Sequence, residues 1–380
     1  AWRYADLRKL AGDYPAWLGN QPGKDTPTAD DAIDLGDGCR LVFVDGRFNA
    51  ELSDPPPEGV FAGSAQDLAR ELPDIADRQW GALAADSESG MISLNSAFGD
   101  SAVAIDVAQG TVLEKPLHLL FAGNTAESVT LPRILINLGA AARATVLENY
   151  QSKQQRIVNA VTEISCATGS HLHYYKLQDD APGSWHTAAQ YIALAGDAQL
   201  DSTHIDIGAA TGRNELTVRL AEPGAEARCN GVFVADSATY VENRLNVEHL
   251  APHTTSRERF RGILADQAKG VFNGRIFVAQ DAQKTSAELN NRNLLLNAGA
   301  EINTKPELEI YADDVKCAHG ATTGQLDAQS LFYLLSRGIS PGDARSMLIL
   351  AFASELVLEL GIEALSTRIQ ERLNELGAAA

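Results

Sequence analysis

Tyr191-Ile192-Ala193-Leu194-Ala195-Gly196-Asp197 leads through His204-Ile205-Asp206-Ile207 to Leu216-Thr217-Val218-Arg219-Leu220 and Pro223-Gly224-Ala225. Each apolar run has the length of a strand, alternates with polar residues, and stops at glycine beside a small or polar residue. None is long or periodic enough for an ordinary helix. The same beat recurs on either side, at Leu138-Gly139-Ala140, Thr168-Gly169-Ser170 and later Ala298-Gly299-Ala300. The glycines at 139, 169, 196 and 224 stand about 30 residues apart. Short, turn-bounded strands at such a period predict a β-solenoid, whose coils bury their apolar faces by stacking on one another. A β-sandwich is the competing arrangement, but it calls for more regular strands and no repeat.

The strand-like character holds from about Met91, so we expect a β-helix core over residues 91–325. Residues 1–90 are mixed. An acidic loop is expected over Asp25 to Asp37. A hairpin should turn at Asp45-Gly46, because Asp-Gly suits the left-handed turn between two strands. Asp54-Pro55-Pro56-Pro57 is a rigid break, and short helices from Ala65 to Trp80 are interrupted by Pro73. A helical region covers 326–380. Asp327 caps its first helix, which ends at Gly338. Ser340-Pro341-Gly342-Asp343 starts the second, with serine as N-cap, proline in the first turn and aspartate at the positive helix end. Met347, Leu348, Ala351, Phe352, Leu356 and Leu360 predict its buried face, with Glu355 the polar exception. A last amphipathic helix carries Ile362, Leu365, Ile369, Leu373 and Leu376. Such helices are expected to cover the strand edges that a solenoid end exposes.

The chain has 380 residues, enough for two or three structural units, and a formal net charge of −19. That field repels phosphate backbones and anionic surfaces, which excludes nucleic acid and membrane as expected partners. The most apolar stretch, Met347 to Leu360, is too short and too charged to span a bilayer. The start at Ala1 lacks the apolar segment of a signal peptide. The four cysteines, Cys39, Cys166, Cys229 and Cys317, are widely separated and read as reduced thiols of a cytoplasmic protein.

Chemistry concentrates in Asp313-Asp314-Val315-Lys316-Cys317-Ala318-His319-Gly320. Cys317 and His319 are two apart, so on a strand they share a face. The glycines that follow predict that the strand ends there and leaves the pair near an edge. Sulfur with imidazole nitrogen suits iron, zinc or copper. Two ligands do not close a site, so the others must come from elsewhere, a second protein included. The plainer reading is a packed thiol and a hydrogen-bonded imidazole. His171 and His173 also share a face, either as metal ligands or as hydrogen-bonded surface residues. Cys166 and Cys229 read as core thiols. Glu307 and Glu309 are either solvated or support the pair.

Cys317-Ala318-His319-Gly320-Ala321-Thr322-Thr323-Gly324-Gln325-Leu326-Asp327, with Leu331-Phe332-Tyr333-Leu334-Leu335-Ser336-Arg337-Gly338-Ile339 and Ala344-Arg345-Ser346-Met347-Leu348, resembles the C-terminal signature of the SufB/SufD family of iron–sulfur cluster assembly proteins. Trp2-Arg3-Tyr4 resembles the family's N-terminal element. SufB carries glutamates where Ala318 and Gly320 stand, so the likeness is to the SufD branch. It implies a right-handed parallel β-helix flanked by an N-terminal α+β region and C-terminal helices. It also implies a longer helical segment ahead of Trp2, which this sequence lacks. As function it implies a non-catalytic scaffold that pairs with SufB and engages the SufC ATPase, with a homodimer possible in isolation. An iron–sulfur cluster or iron, transient and shared with SufB, would involve His319. Cys317 would serve as ligand or persulfide carrier, or be plainly buried. The likeness places the ATPase contact on the helices after residue 326, through Leu331, Phe332, Arg337, Arg345, Met347, Phe352 and Glu355.

No Gly-x-x-x-x-Gly-Lys-Ser/Thr loop occurs, so ATP chemistry of that kind must come from a partner. His-Glu-x-x-His and Gly-x-Ser-x-Gly are also missing. Two alternatives come from other classes. One is a polysaccharide-binding or -cleaving solenoid using Asp313 and Asp314. Few aromatics and the negative charge disfavour it, as does the opposite facing of adjacent strand residues. The other is a purely structural docking subunit.

Overall fold

A computed structural model describes residues 8–17, 33, 35–85, 87, 89–99 and 101–379. Trp2-Arg3-Tyr4 and most of the expected acidic loop lie outside them. The chain opens with α1 (Arg8–Trp17), β1 (Cys39–Val44), β2 (Arg47–Asn49), β3 (Val60–Ser64), α2 (Ala65–Glu71), α3 (Pro73–Gln79) and α4 (Gly90–Phe98). Then follow β4 (Ser101–Val107), β5 (Leu117–Gly123), β6 (Ser128–Thr130), β7 (Pro132–Leu138), β8 (Arg143–Ser152), β9 (Arg156–Cys166), β10 (His171–Asp180), β11 (Trp185–Leu194) and β12 (Gln199–Asp206). Next come β13 (Thr211–Leu220), β14 (Glu226–Ala235), β15 (Tyr240–His249), β16 (Thr255–Leu264), β17 (Lys269–Val278), β18 (Ser286–Leu295), β19 (Glu301–Ile310) and β20 (Lys316–Gly324). The chain closes with α5 (Ala328–Ser336), α6 (Pro341–Val357) and α7 (Glu363–Ala379).

Even-numbered strands from β8 to β20 stack in parallel with β5 in one sheet, and odd-numbered strands from β7 to β19 stack in the other with β4. This is a β-solenoid of about eight turns. Gln199 pairs with Glu226, then Thr255, Ser286 and Lys316, so each turn spends about 30 residues. The hairpin turns at Asp45 and Gly46, both with positive φ, as expected. Its first strand, β1, joins β5 in parallel. Residues 90–98 form a helix where strand character was expected to begin, and β4 starts only at Ser101.

The repeat seen in the sequence is a corner of the solenoid. At that corner one residue per turn takes the left-handed conformation: Ala141, Gly169, Asp197, Gly224, His253 and Lys284. Glycine occupies only two of these six positions, which explains why the glycine spacing is loose while the backbone repeat is regular. Ala298-Gly299 sits at the opposite corner, between β18 and β19.

Two apolar layers result from the strand pleat. Inward residues such as Val146, Tyr174, Cys229 and Leu289 fill the lumen with those of the second sheet. Phe260 and Phe233 lie across the backbone of Gly231 and Gly262, where any Cβ would come within 2.4 Å of a ring. Outward residues Leu177, Ile205, Val232 and Ile263 meet Ile349, Ala353, Leu356, Leu365, Ile369 and Leu373. The α6–α7 pair therefore covers the outer face of the β5–β20 sheet and leaves the solenoid end open, contrary to the expectation. Arg368 and Arg372 of α7 anchor it on Asp179 and Asp236.

The face of α6 also differs from the sequence reading. Ala344, Ile349, Ala353, Leu356 and Val357 are buried, whereas Met347 and Ala351 are exposed and Glu355, at the rim of the buried face, bonds to Arg261 of the sheet. This helix is apolar almost all round, so several stripes satisfy helical spacing, and tertiary packing selects one. The caps are as read: Asp327 accepts from the Ser330 N–H and Ser340 from the Asp343 N–H. Among the described residues no helix is long and apolar enough to cross a membrane.

Part of the lumen is polar. Glu148, Lys176 and His204 occupy successive rungs and are buried. Glu148 accepts hydrogen bonds from Tyr150, Tyr174 and Thr162. Lys176 Nζ lies 3.0 Å from His186 Nε2, and His186 Nδ1 lies 2.9 Å from Asp180. Arg156 closes the chain on Asp180 at 2.7 Å.

Candidate functional site

Cys317 and His319 lie on β20, the last strand of its sheet, and β19 ends the other sheet. The strand runs on through Gly320 to Gly324, so the expected early termination does not occur. The pair is at an edge because no further coil follows. Cys317 pairs in register with Ala287 and His319 with Leu289. Ala287 and Leu289 belong to the lumen core, so both site residues point along that same face. The half-buried thiol packs on the core, while the imidazole is exposed at the open end of the column Cys229, Glu258, Leu289.

This placement sets the chemistry. Burial pushes the Cys317 thiol up from its ordinary value. No described side chain hydrogen-bonds His319, which leaves a borderline nitrogen donor exposed at the open end of the lumen. Cys166 and Cys229 are buried core thiols, as read; burial pushes Cys166 up to about 12. Glu307 is paired with Lys305 and Glu309 with Arg275, so neither reaches toward the pair. Asp313 and Asp314 sit on the corner bend, not on a strand, and Asp314 pairs with Lys284.

The two free edges differ: β19 carries Glu301, Lys305, Pro306, Glu307 and Glu309, whereas β20 beyond Lys316 and His319 is bare. β20 presents Ala318, Gly320, Ala321, Thr322, Thr323 and Gly324, and nearby Ile310 and Tyr311 are exposed. The Gly320–Gly324 stretch of β20, without bulky or charged guards, is the part of the edge that can template another strand.

The helical candidates divide into two groups. Phe332 on α5 is 73% exposed and Met347 on α6 49%, and Tyr333 and Leu335 of α5 are exposed as well. Arg337 stacks over the Tyr333 ring at 5.1 Å. Leu331 and Arg345 are half-buried, and Phe352 packs against the helix–sheet core. Glu355 reaches back to the solenoid, accepting from Arg261 at 2.7 Å and Arg259 at 3.3 Å. Those hydrogen bonds hold its carboxyl below the usual range despite partial burial.

His171 and His173 leave the outer face of β10, as read, and meet a residue that sequence reasoning missed, Asp201. Burial, then the His171 charge, lowers His173. Burial alone would raise Asp201, but the His171 hydrogen bond and the Arg228 charge hold it low. Asp201 stands one solenoid turn after His173, so the repeat period was the signal that could have found it.

Two family models cover most of the chain: SUF system FeS cluster assembly, SufBD core domain, over residues 121–352, and the SufBD protein N-terminal region over residues 37–119. The chain is 35% identical to the iron–sulfur cluster assembly protein SufD of Escherichia coli, across 98% of this chain and 87% of the relative. A SufBD family iron–sulfur cluster assembly protein of Synechocystis is 30% identical across 97% of this chain and 84% of its own length. SufB of Bacillus subtilis is 23% identical across 85% of this chain and 71% of its own. A two-sheet solenoid with an imidazole at its open end, matched along its length by these models and relatives, belongs to the SufBD family of iron–sulfur cluster assembly proteins, as a homologue of SufD.

Proposed function

We propose that this chain is the SufD-type half of a cytoplasmic cluster-assembly scaffold, pairing with SufB through the open solenoid end and docking SufC on α5 and α6. The observation that carries the reading is the exposure of His319 on a terminal strand whose edge none of the described residues covers. A second solenoid added there would complete the sheets and bring its own ligands to the imidazole. The assembled cluster, or the iron for it, is then cargo shared between two chains. ATP hydrolysis belongs to SufC, and this chain acts as a non-catalytic scaffold. Cys317 supports the site by packing against the lumen core.

His319→Ala removes an exposed ring with no described partner, so stability should change by less than about 0.5 kcal/mol. Co-purification with SufB should persist, while iron and acid-labile sulfide in the isolated complex fall severalfold. Unchanged iron and sulfide would leave only the docking role.

Deleting residues 341–380 is a poor test of SufC docking, because it strips the cover from Ile205, Val232 and Ile263. Each such side chain is worth about 1.5–3 kcal/mol when buried. The exposed Phe332 and Met347 offer a cleaner one. Phe332→Asp with Met347→Asp should weaken capture of SufC at least about tenfold, as loss of a central apolar anchor does, and leave the thermal midpoint in place. Undiminished capture by the double variant would move the ATPase contact elsewhere.

A further inference from the structure

Three ligand-type side chains converge on the outer face of the solenoid, well away from His319. His171 and His173 stand at i and i+2 on β10, so both rings leave the same face. Their centroids are 4.4 Å apart. Asp201 is the register partner of His173 on β12. Its Oδ2 lies 2.9 Å from His171 Nε2 and 3.6 Å from His173 Nδ1, and one donor atom from each residue falls within 4.8 Å of the others. Donors held at ordinary bond lengths around a tetrahedral zinc-type ion stand about 3.3 Å apart. The two separations straddle that value. Arg228 Nε holds the opposite carboxylate oxygen at 2.9 Å, which turns Oδ2 toward the rings. Contacts of this kind orient metal ligands.

The surroundings leave room for a further ligand. The side chains of His171, His173 and Asp201 are 24%, 43% and 21% exposed. His173 and Asp201 line a groove of about 250 Å³ between the sheet and the α6–α7 turn, with Tyr175, Thr203 and Gly361 on its walls. The position is separate from His319. β12 and β20 are four strands apart in the sheet, about 19 Å at ordinary strand spacing. The rings also leave opposite faces.

We infer that His171, His173 and Asp201 form a mononuclear site for a divalent transition metal of the zinc or iron(II) class, with an open coordination position toward the groove. Two imidazoles and one carboxylate suit such ions. The set holds no thiolate to favour copper(I) and too few oxygens for calcium or magnesium. An ion with only three protein ligands and an open fourth position is exchangeable, as in sites that act on or pass on what they hold.

The test uses the full chain, stripped with chelator and titrated with cobalt(II), read by its d–d absorption. One equivalent should bind, and binding should survive in the His319→Ala/Cys317→Ser variant. Asp201→Asn keeps the side-chain shape while removing the anionic ligand, and should weaken cobalt at least about 100-fold. His173→Ala serves as the second ligand variant, and thermal unfolding establishes that each variant is folded. Cobalt spectra that are the same in wild type and Asp201→Asn overturn the site. So does uptake by wild type that disappears in the His319→Ala/Cys317→Ser variant.

Discussion

Acidification from pH 7 to pH 5 should remove about 5 kcal/mol of folding stability. The source is four histidines buried without charge. Burial pushes His118, His186 and His249 down to about 4 and His204 to about 3, with Arg40 adding to the effect at His118 and Lys176 at His186 and His204. All four are buried. Their unfolded value is near 6.5. Below it the unfolded chain gains protons that the folded chain refuses, so their contribution, complete above pH 6.5, is lost as the pH falls toward 4. Each costs about 2 kcal/mol over the interval. Glu258 acts in the opposite sense. Burial pushes its carboxyl up to about 8, so the folded state keeps a proton that the unfolded chain loses above its ordinary 4.5. Its contribution is complete below 4.5, fades as the pH rises through 8, and returns about 2–3 kcal/mol on going from pH 7 to pH 5. The remainder is comparable to the whole stability of many domains. Urea denaturation at the two pH values measures it. A midpoint that does not move would contradict the buried-neutral assignment, and Glu258→Gln should steepen the acid loss.

Arg156→Met should destabilise the fold by about 3–5 kcal/mol. Arg156 is buried in the lumen wall, with Nε 2.7 Å from Asp180 and a terminal nitrogen 3.0 Å from the Phe121 carbonyl. Burial alone would raise the Asp180 carboxyl. The Arg156 charge and the His186 hydrogen bond override it and hold Asp180 well below the usual range. Removing the guanidinium leaves a charge in the interior without its main partner, a larger loss than that of the pair as a whole. Arg156→Met with Asp180→Leu should therefore recover most of the deficit. Equal losses in the single and double variants would show that packing, not charge, dominates.

The solenoid was legible because stacking repeats backbone conformation at every corner. The left-handed residue itself was not, since Ala141, Asp197, His253 and Lys284 serve there as well as Gly169 and Gly224. The helix caps were legible because they are local, with Asp327 and Ser340 each bonding three residues ahead. Which face of α6 is buried was not, because Met347 and Ile349 look alike to any periodicity and only the outer sheet face distinguishes them. His319 was recognisable by its spacing from Cys317 and by the family signature. Its exposure came from something no local pattern encodes, that β20 is the last strand. Asp201 was hidden for a related reason: strand register across a turn joins residues that are distant in sequence.

A second solenoid meeting the open end should bring a cluster iron within bonding reach of the His319 nitrogen. Pulsed electron paramagnetic resonance on the reduced, cluster-loaded complex with SufB, with this chain alone carrying ¹⁵N-histidine, tests it most directly. A ¹⁵N coupling of directly ligated imidazole is expected, absent in His319→Ala. A cluster of undiminished yield with no such coupling in the wild-type complex would contradict it.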